Sequence, residues 1–150
     1  MNTVFTSFLL VAVVIELLIG ARLIVLGRKT KGLPETLWGW AWVCDALSQG
    51  TAPIAGKNAG VAWADALRVG STGVSSLSLA LLAVSIWFVF RPDQRTLRYL
   101  VTVVSGLLAL SFVAFELFGS VTFPDGEGHQ VMRWINRTVA IGLLAWGLSE

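Results

Sequence analysis

The sequence predicts an all-α fold, a polytopic transmembrane helical bundle with four to five spans and the N-terminus outside. Three observations indicate it. Of the 150 residues, 55% are hydrophobic and only 13% are charged, and the mean hydropathy is +0.75, values far from those of soluble domains. The apolar residues fall into separate long segments, and Lys and Arg cluster between them. We therefore expect residues 1–150 to form a single transmembrane domain.

The first span covers about residues 4–26, which at about 1.5 Å per residue is long enough to cross a hydrocarbon core of about 30 Å. The preceding Met1-Asn2-Thr3 carries no basic residue, whereas a cleaved signal peptide begins with a basic region. We therefore expect this span to be retained. Glu16 lies near its middle, where a carboxyl group is costly unless it is protonated, paired or turned toward protein.

Four more apolar segments follow, at about residues 36–53, 67–90, 97–118 and 131–148. The third span is rich in Gly and Ser at three- and four-residue spacing from Gly70 onward, a pattern typical of closely packed membrane helices. We expect it to be the central helix, with a pore-lining helix as the alternative. Ser105 and Gly106 indicate a similar close approach on the fourth span. The fifth span is the least apolar at its start.

Positive charge sets the expected orientation, because cytoplasmic loops are enriched in Lys and Arg. The basic residues between spans one and two and between spans three and four are Arg28, Lys29, Lys31, Arg91, Arg95 and Arg98. Both loops are therefore expected inside and the N-terminus outside. Tryptophans favour membrane interfaces, and the sequence places Trp38, Trp40 and Trp87 near the inner boundary and Trp63 and Trp134 near the outer one.

Two carboxylates form a candidate proton or cation site. Glu16 and Asp45 both fall near the middle of their spans, on the first and second helices. Paired carboxylates in a low dielectric bind a proton or a cation, because two like charges are costly to keep ionised together. The alternative is that each carboxyl is protonated or hydrogen-bonded to a hydroxyl of a neighbouring helix and only fixes packing.

A second group of charges is expected near the outer surface, as a candidate ion-pair cluster. Its members are Asp65, Arg68, Glu116, Arg133 and Arg137. Mutual neutralisation across the third, fourth and fifth helices is the simplest interpretation, since an unpaired guanidinium at that depth is expensive. A binding site for an anionic ligand is the alternative.

The residue inventory argues against several functions. One cysteine, Cys44, excludes an internal disulfide and multi-cysteine metal sites. All three lysines lie in loops, which excludes a retinal Schiff base. The net charge of +2 comes from residues beside apolar spans, so it indicates topology and no nucleic-acid partner. We expect no cofactor, no metal and no enzymatic activity.

The loop after the first span is built to end one helix and begin another. Gly32 permits the turn, Pro34 suits a first helical turn, and Glu35 complements the positive end of the helix dipole. With Trp38-Gly39 and the Phe90-Arg91-Pro92 exit from the third span, this hinge resembles a group of uncharacterised bacterial multi-pass inner-membrane proteins. The resemblance implies a location in the bacterial cytoplasmic (inner) membrane and carries no assigned activity. Members of that group typically have more spans, so the completeness of the chain at Glu150 stays open.

Two functional hypotheses follow. The first is a non-enzymatic integral protein of the inner membrane, a structural, sensory or interaction module whose partners are the lipid bilayer and either a second copy or another membrane protein. The alternative is a small proton- or cation-coupled transporter or channel that uses Glu16 and Asp45. That alternative requires the two carboxylates to face each other or a common cavity.

Overall fold

The computed structural model describes the backbone of residues 3–58, 60–122 and 127–149, and side chains within 6–58, 60–111, 113–114, 134–135, 138–139, 141–143 and 145–149. Over these residues the chain is all-helical. It forms the helices α1 (Thr3–Thr30), α2 (Leu33–Lys57), α3 (Ala62–Phe90), α4 (Arg95–Thr122) and α5 (Glu127–Leu148).

Each of the five expected spans falls inside one of these helices. By length and composition, two of the described segments are long and apolar enough to cross a membrane, Thr6–Thr30 in α1 and Ala62–Phe90 in α3. The all-α class is thus confirmed. A total of four to five spans, and their orientation, stay predictions.

The hinge between α1 and α2 differs in one detail from the expectation. Lys31, with φ of 56°, adopts the left-handed conformation, whereas Gly32 has φ of −80°. The Gly32 N–H donates to the Gly27 carbonyl at 2.9 Å, which closes the end of α1 in the manner of a Schellman cap. A Cβ on Gly32 would meet the carboxylate of Glu35, the far end of a flexible side chain that can move aside.

Helices α1, α2 and α3 pack in chain order, and both α4 and α5 pack against α3. In the described part of the chain α1 packs against α2 alone, α2 lies between α1 and α3, and α3 contacts α2, α4 and α5. The expectation that the third span is the central helix is therefore confirmed.

A seam of small residues joins α1 to α2. Gly20, Ile24 and Gly27 are buried at helical spacing on α1. A Cβ built on Gly20 would lie 2.8 Å from the carbonyl oxygen of Gly39, and one built on Gly39 would lie 2.7 Å from that of Gly20. The two backbones touch at this crossing, which only glycine permits.

Small residues on α3 and α4 serve packing at some positions and not at others. A Cβ on Gly73 would lie 2.9 Å from Cγ2 of Val113, so α3 and α4 approach closely there, whereas a Cβ on Gly70 would meet nothing within 4 Å. On α4, Ser105 is buried at 4% exposure, but a Cβ on Gly106 would meet no described residue within 4 Å. Among the described residues, the expected close approach is thus found at Ser105 and not at Gly106.

Trp87 joins α3 to α5. Its side chain is 1% exposed, its Nε1–H donates to the Leu143 carbonyl at 3.0 Å, and its ring meets that of Trp146 edge-on with centroids 4.9 Å apart. Gly147 leaves room for the indole. The indole finds its polar partner inside the protein, and the expected level of Trp87 near the inner boundary stays a prediction.

Candidate functional site

The structure brings Glu16 and Asp45 together through a third residue, Gln49. The Nε2 amide of Gln49 donates to Oε1 of Glu16 and to Oδ2 of Asp45, both at 2.9 Å. All three side chains are half-buried. We call these residues the carboxylate cluster. It lies near the middle of both α1 and α2, as the sequence positions of the two acids indicate.

Local helix geometry explains the cluster. Asp45 and Gln49 are four residues apart on α2 and therefore share one face of the helix. Glu16 lies one turn before Gly20 on α1, so the close contact at Gly20 and Gly39 turns it toward α2. The sequence analysis did not identify Gln49. Its spacing of four residues from Asp45, which places both on one face of α2, could have indicated it.

The Gln49 amide satisfies only some of the hydrogen-bond acceptors of the two carboxylates. A glutamine amide nitrogen has two N–H groups, and here each carboxyl receives one hydrogen bond from that nitrogen. The other oxygen of Glu16, Oε2, is buried and has no hydrogen-bond partner among the described residues. Because the glutamine amide is neutral, it does not offset the negative charge of two carboxylates. A proton or a cation shared by the pair would offset it.

Pro53 changes the backbone next to the cluster. It lies inside α2 and has no N–H, so the Gln49 carbonyl loses the donor that a regular helix would supply four residues later. An additional oxygen acceptor is thereby released on the same residue whose amide bridges the carboxylates. The turn between them is supported by Thr51, whose hydroxyl donates to the Leu47 carbonyl at 2.7 Å.

Helix α3 reaches the same level through Ser78. Its hydroxyl is buried and donates to the Ala41 carbonyl of α2 at 2.8 Å. A partly open cavity of about 130 Å³ lies beside this bond, enough for several water molecules at about 30 Å³ each. It is lined by Ala41, Trp42, Asp45, Ser78, Leu79 and Leu82. Asp45 therefore faces Gln49 on one side and a small cavity on the other.

The candidate outer ion-pair cluster is described only in part. Asp65 and Arg68 lie on the first two turns of α3, and both are exposed. The side chains of Glu116, Arg133 and Arg137 lie outside the described residues. Pairing across helices three, four and five stays a prediction.

Two serine hydroxyls of α3 bond within the helix. Ser71 donates to the Arg68 carbonyl and Ser85 to the Leu82 carbonyl, each at 2.8–2.9 Å, and both serines are buried. Hydroxyls used in this way hold the packed helix and do not point into an open conduit. The observed contacts thus favour packing over a pore lining for this helix.

Comparisons with protein-family models, with curated proteins and with solved structures find no match to this chain. The resemblance of its hinge to bacterial multi-pass membrane proteins therefore stays a prediction.

Proposed function

We propose that this chain is a multi-pass integral protein of the bacterial cytoplasmic membrane, with its N-terminus outside, that performs no catalysis and acts as a structural, sensory or interaction module. The observation that supports membrane insertion most is the outer surface of α1. Large apolar side chains are exposed along its whole length, among them Phe8 at 72% and Leu18 at 66%. In water so large an apolar surface is rare, whereas lipid covers it at no cost.

The carboxylate cluster has a structural role in this proposal. It joins the middle of α1 to α2 while Ser78 joins α2 to α3, so three helices are fixed at one level. The absence of catalysis is proposed from the residue inventory of the sequence. The lipid bilayer is the proposed partner, with a second copy or another membrane protein bound through an exposed helix face.

Thiol labelling in intact cells tests the proposed topology. In a Cys44→Ala background, a cysteine at Thr30 at the end of α1 is expected to be protected from an impermeant reagent, whereas one at Asn58, after α2, is expected to react. Both positions are exposed in the fold, so burial does not bias the comparison. Labelling only at Thr30 would reverse the orientation, and equal labelling at both would contradict a span between them.

A second candidate function is supported by a specific observation. The carboxylates of Glu16 and Asp45 accept hydrogen bonds from one amide, and Glu16 Oε2 has no partner in the described part of the chain. This arrangement meets the requirement that the two acids share one place in the fold. We propose, as the alternative function, a small transporter or channel in which the pair carries a proton or a cation.

Flux into proteoliposomes separates the two functions. Glu16→Gln and Asp45→Asn keep the side-chain shapes and remove the charges, and Asp65→Asn, on the exposed start of α3, is the matched control. Loss of proton or cation flux in the first two variants, with flux retained in the control, would support transport. Flux unchanged in all three variants would eliminate transport and leave the structural role.

A further inference from the structure

A cavity with both polar and apolar lining lies away from the carboxylate cluster, beside the end of α3 and the starts of α2 and α4. Its volume is about 510 Å³, within the range of cavities that hold small organic ligands. One wall is apolar and is formed by Leu33, Leu37 and Val84. The polar part of the lining belongs to α4.

The polar wall is one face of the α4 helix. Arg95, Arg98, Tyr99 and Thr102 all line the cavity, and their spacing of three, four and seven residues places them on a single stripe. Two guanidinium groups and a phenol hydroxyl thus border the same space. Guanidinium groups bind phosphate through paired N–H donors.

Arg98 is oriented by an aromatic ring, and its Nε–H donor is left without a hydrogen-bond partner among the described residues. Its guanidinium carbon lies 4.8 Å from the centroid of the Phe88 ring, a cation–π contact that orients the group. Its Nε–H is buried and has no hydrogen-bond partner among the described residues. A buried donor without an acceptor is costly, and an anion in the cavity would supply the acceptor.

The electrostatic environment also favours an anion. Both α2, at Leu33, and α4, at Arg95, begin at this end of the fold, so two helix N-termini contribute partial positive charge. The loops that lead into them carry Lys31 and Arg91. Glu35 and Asp93 are the acidic residues in the same region, and they are outnumbered by the basic ones.

We propose that this cavity binds an anionic phospholipid, with the phosphate of the headgroup on Arg95 and Arg98 and the start of an acyl chain along Leu33, Leu37 and Val84. The inference rests on the proposed insertion of the chain in a membrane, and the expected orientation places the cavity at the inner leaflet. The apolar wall is what favours a phospholipid over free phosphate. Basic cavities between membrane helices on the cytoplasmic side are suited to such headgroups.

Titration of the delipidated, detergent-purified full chain tests the proposal, with bound lipid counted by native mass spectrometry. The ligands are phosphatidylglycerol, phosphatidylcholine and inorganic phosphate. We expect phosphatidylglycerol to bind most tightly and Arg95→Gln and Arg98→Gln each to weaken it by roughly tenfold, the effect of losing one hydrogen bond to a charged group. Arg28→Gln, exposed at the same end of the fold but outside the cavity, is the control and is expected to bind normally.

Three results would overturn the lipid site. They are equal binding of the two lipids, an equal loss in the Arg28→Gln control, and inorganic phosphate binding as tightly as phosphatidylglycerol. Arg95 is exposed, so its variant stays informative even where replacement of Arg98 disturbs folding. Alkaline carbonate extraction of membranes separates the two proposals, because release of the chain contradicts membrane insertion, whereas a retained chain without lipid selectivity contradicts only the lipid site.

Discussion

Replacement of Gly39 by alanine is expected to separate α1 from α2. The added Cβ would lie 2.7 Å from the Gly20 carbonyl oxygen and 2.8 Å from the Ile24 amide nitrogen. Both are backbone atoms, so no flexible side chain can move aside. The hairpin has to widen, and the nearby bond between Glu16 and Gln49 is expected to weaken with it.

A matched variant isolates the steric effect. Gly56 lies in the same helix, and a Cβ there would meet nothing within 4 Å. Alanine gains up to about 1 kcal/mol of helix propensity over glycine inside a helix, as at Gly39, and less in the last turn of α2, at Gly56. Because propensity favours alanine at Gly39, a lower stability of Gly39→Ala than of Gly56→Ala reports overpacking, which costs about 1–3 kcal/mol.

Unfolding by sodium dodecyl sulfate in mixed micelles, followed by the fluorescence of the seven tryptophans, measures this difference. We expect Gly39→Ala to be less stable than Gly56→Ala by about 1–3 kcal/mol. Equal stability of the two variants would refute the close backbone contact at Gly20 and Gly39.

Three further variants can be measured in the same micelles. Gln49→Leu removes the donor shared by both carboxyls and is expected to destabilise the fold by about 1–3 kcal/mol, and a loss near zero would contradict the bridge. Trp87→Phe loses the bond to the Leu143 carbonyl and is expected to cost about 1–2 kcal/mol, against at most about 0.5 kcal/mol for the exposed Trp63→Phe on the same helix; similar losses would argue against the α3–α5 contact. Ser78→Ala is expected to cost about 0.5–1.5 kcal/mol, and an unchanged stability would show that its bond to α2 contributes nothing.

Hydropathy alone predicted the positions of the helices well, since each apolar segment lies inside one helix. Each helix extends past its apolar span through polar residues. For example, α1 continues through Arg28 and Lys29, and α3 begins ahead of its apolar segment at Ala62. Hydropathy marks only the apolar part of a helix, so it underestimates the length. The backbone hydrogen bonds of a helix continue past the apolar stretch.

The faces of the helices were harder to predict than their positions. Gly20 and Gly106 look alike in the sequence, yet the first contacts a neighbouring backbone and a Cβ on the second would meet no described residue within 4 Å. The difference depends on how each helix is rotated about its axis, which a single sequence does not specify. Trp87 shows the same limit, since an indole near a helix end satisfies its N–H equally well at a headgroup or on a carbonyl of the protein.

The sequence predicted the two acids of the candidate site, Glu16 and Asp45, but not Gln49, which bridges them. Counting residues along the first two spans predicted that Glu16 and Asp45 lie at one level. In the fold both carboxylates accept hydrogen bonds from the same Gln49 amide. Gln49 could have been found from its spacing to Asp45, but a polar amide inside an apolar span gives no charge signal. The cavity bordered by Arg95 and Arg98 depends on how α2, α3 and α4 pack and rotate against one another, which the sequence alone does not specify.

Cross-linking in native membranes tests the central claim, that Glu16 faces Gln49 across the α1–α2 contact. In a Cys44→Ala background, cysteines at Glu16 and Gln49 are treated with a short, membrane-permeable bifunctional thiol reagent, and the linked peptides are quantified by mass spectrometry. The control pairs Glu16 with Leu47, which is 51% exposed on another face of α2. We predict efficient linking of the first pair and little of the second, and preferential linking of the Leu47 pair would contradict the cluster.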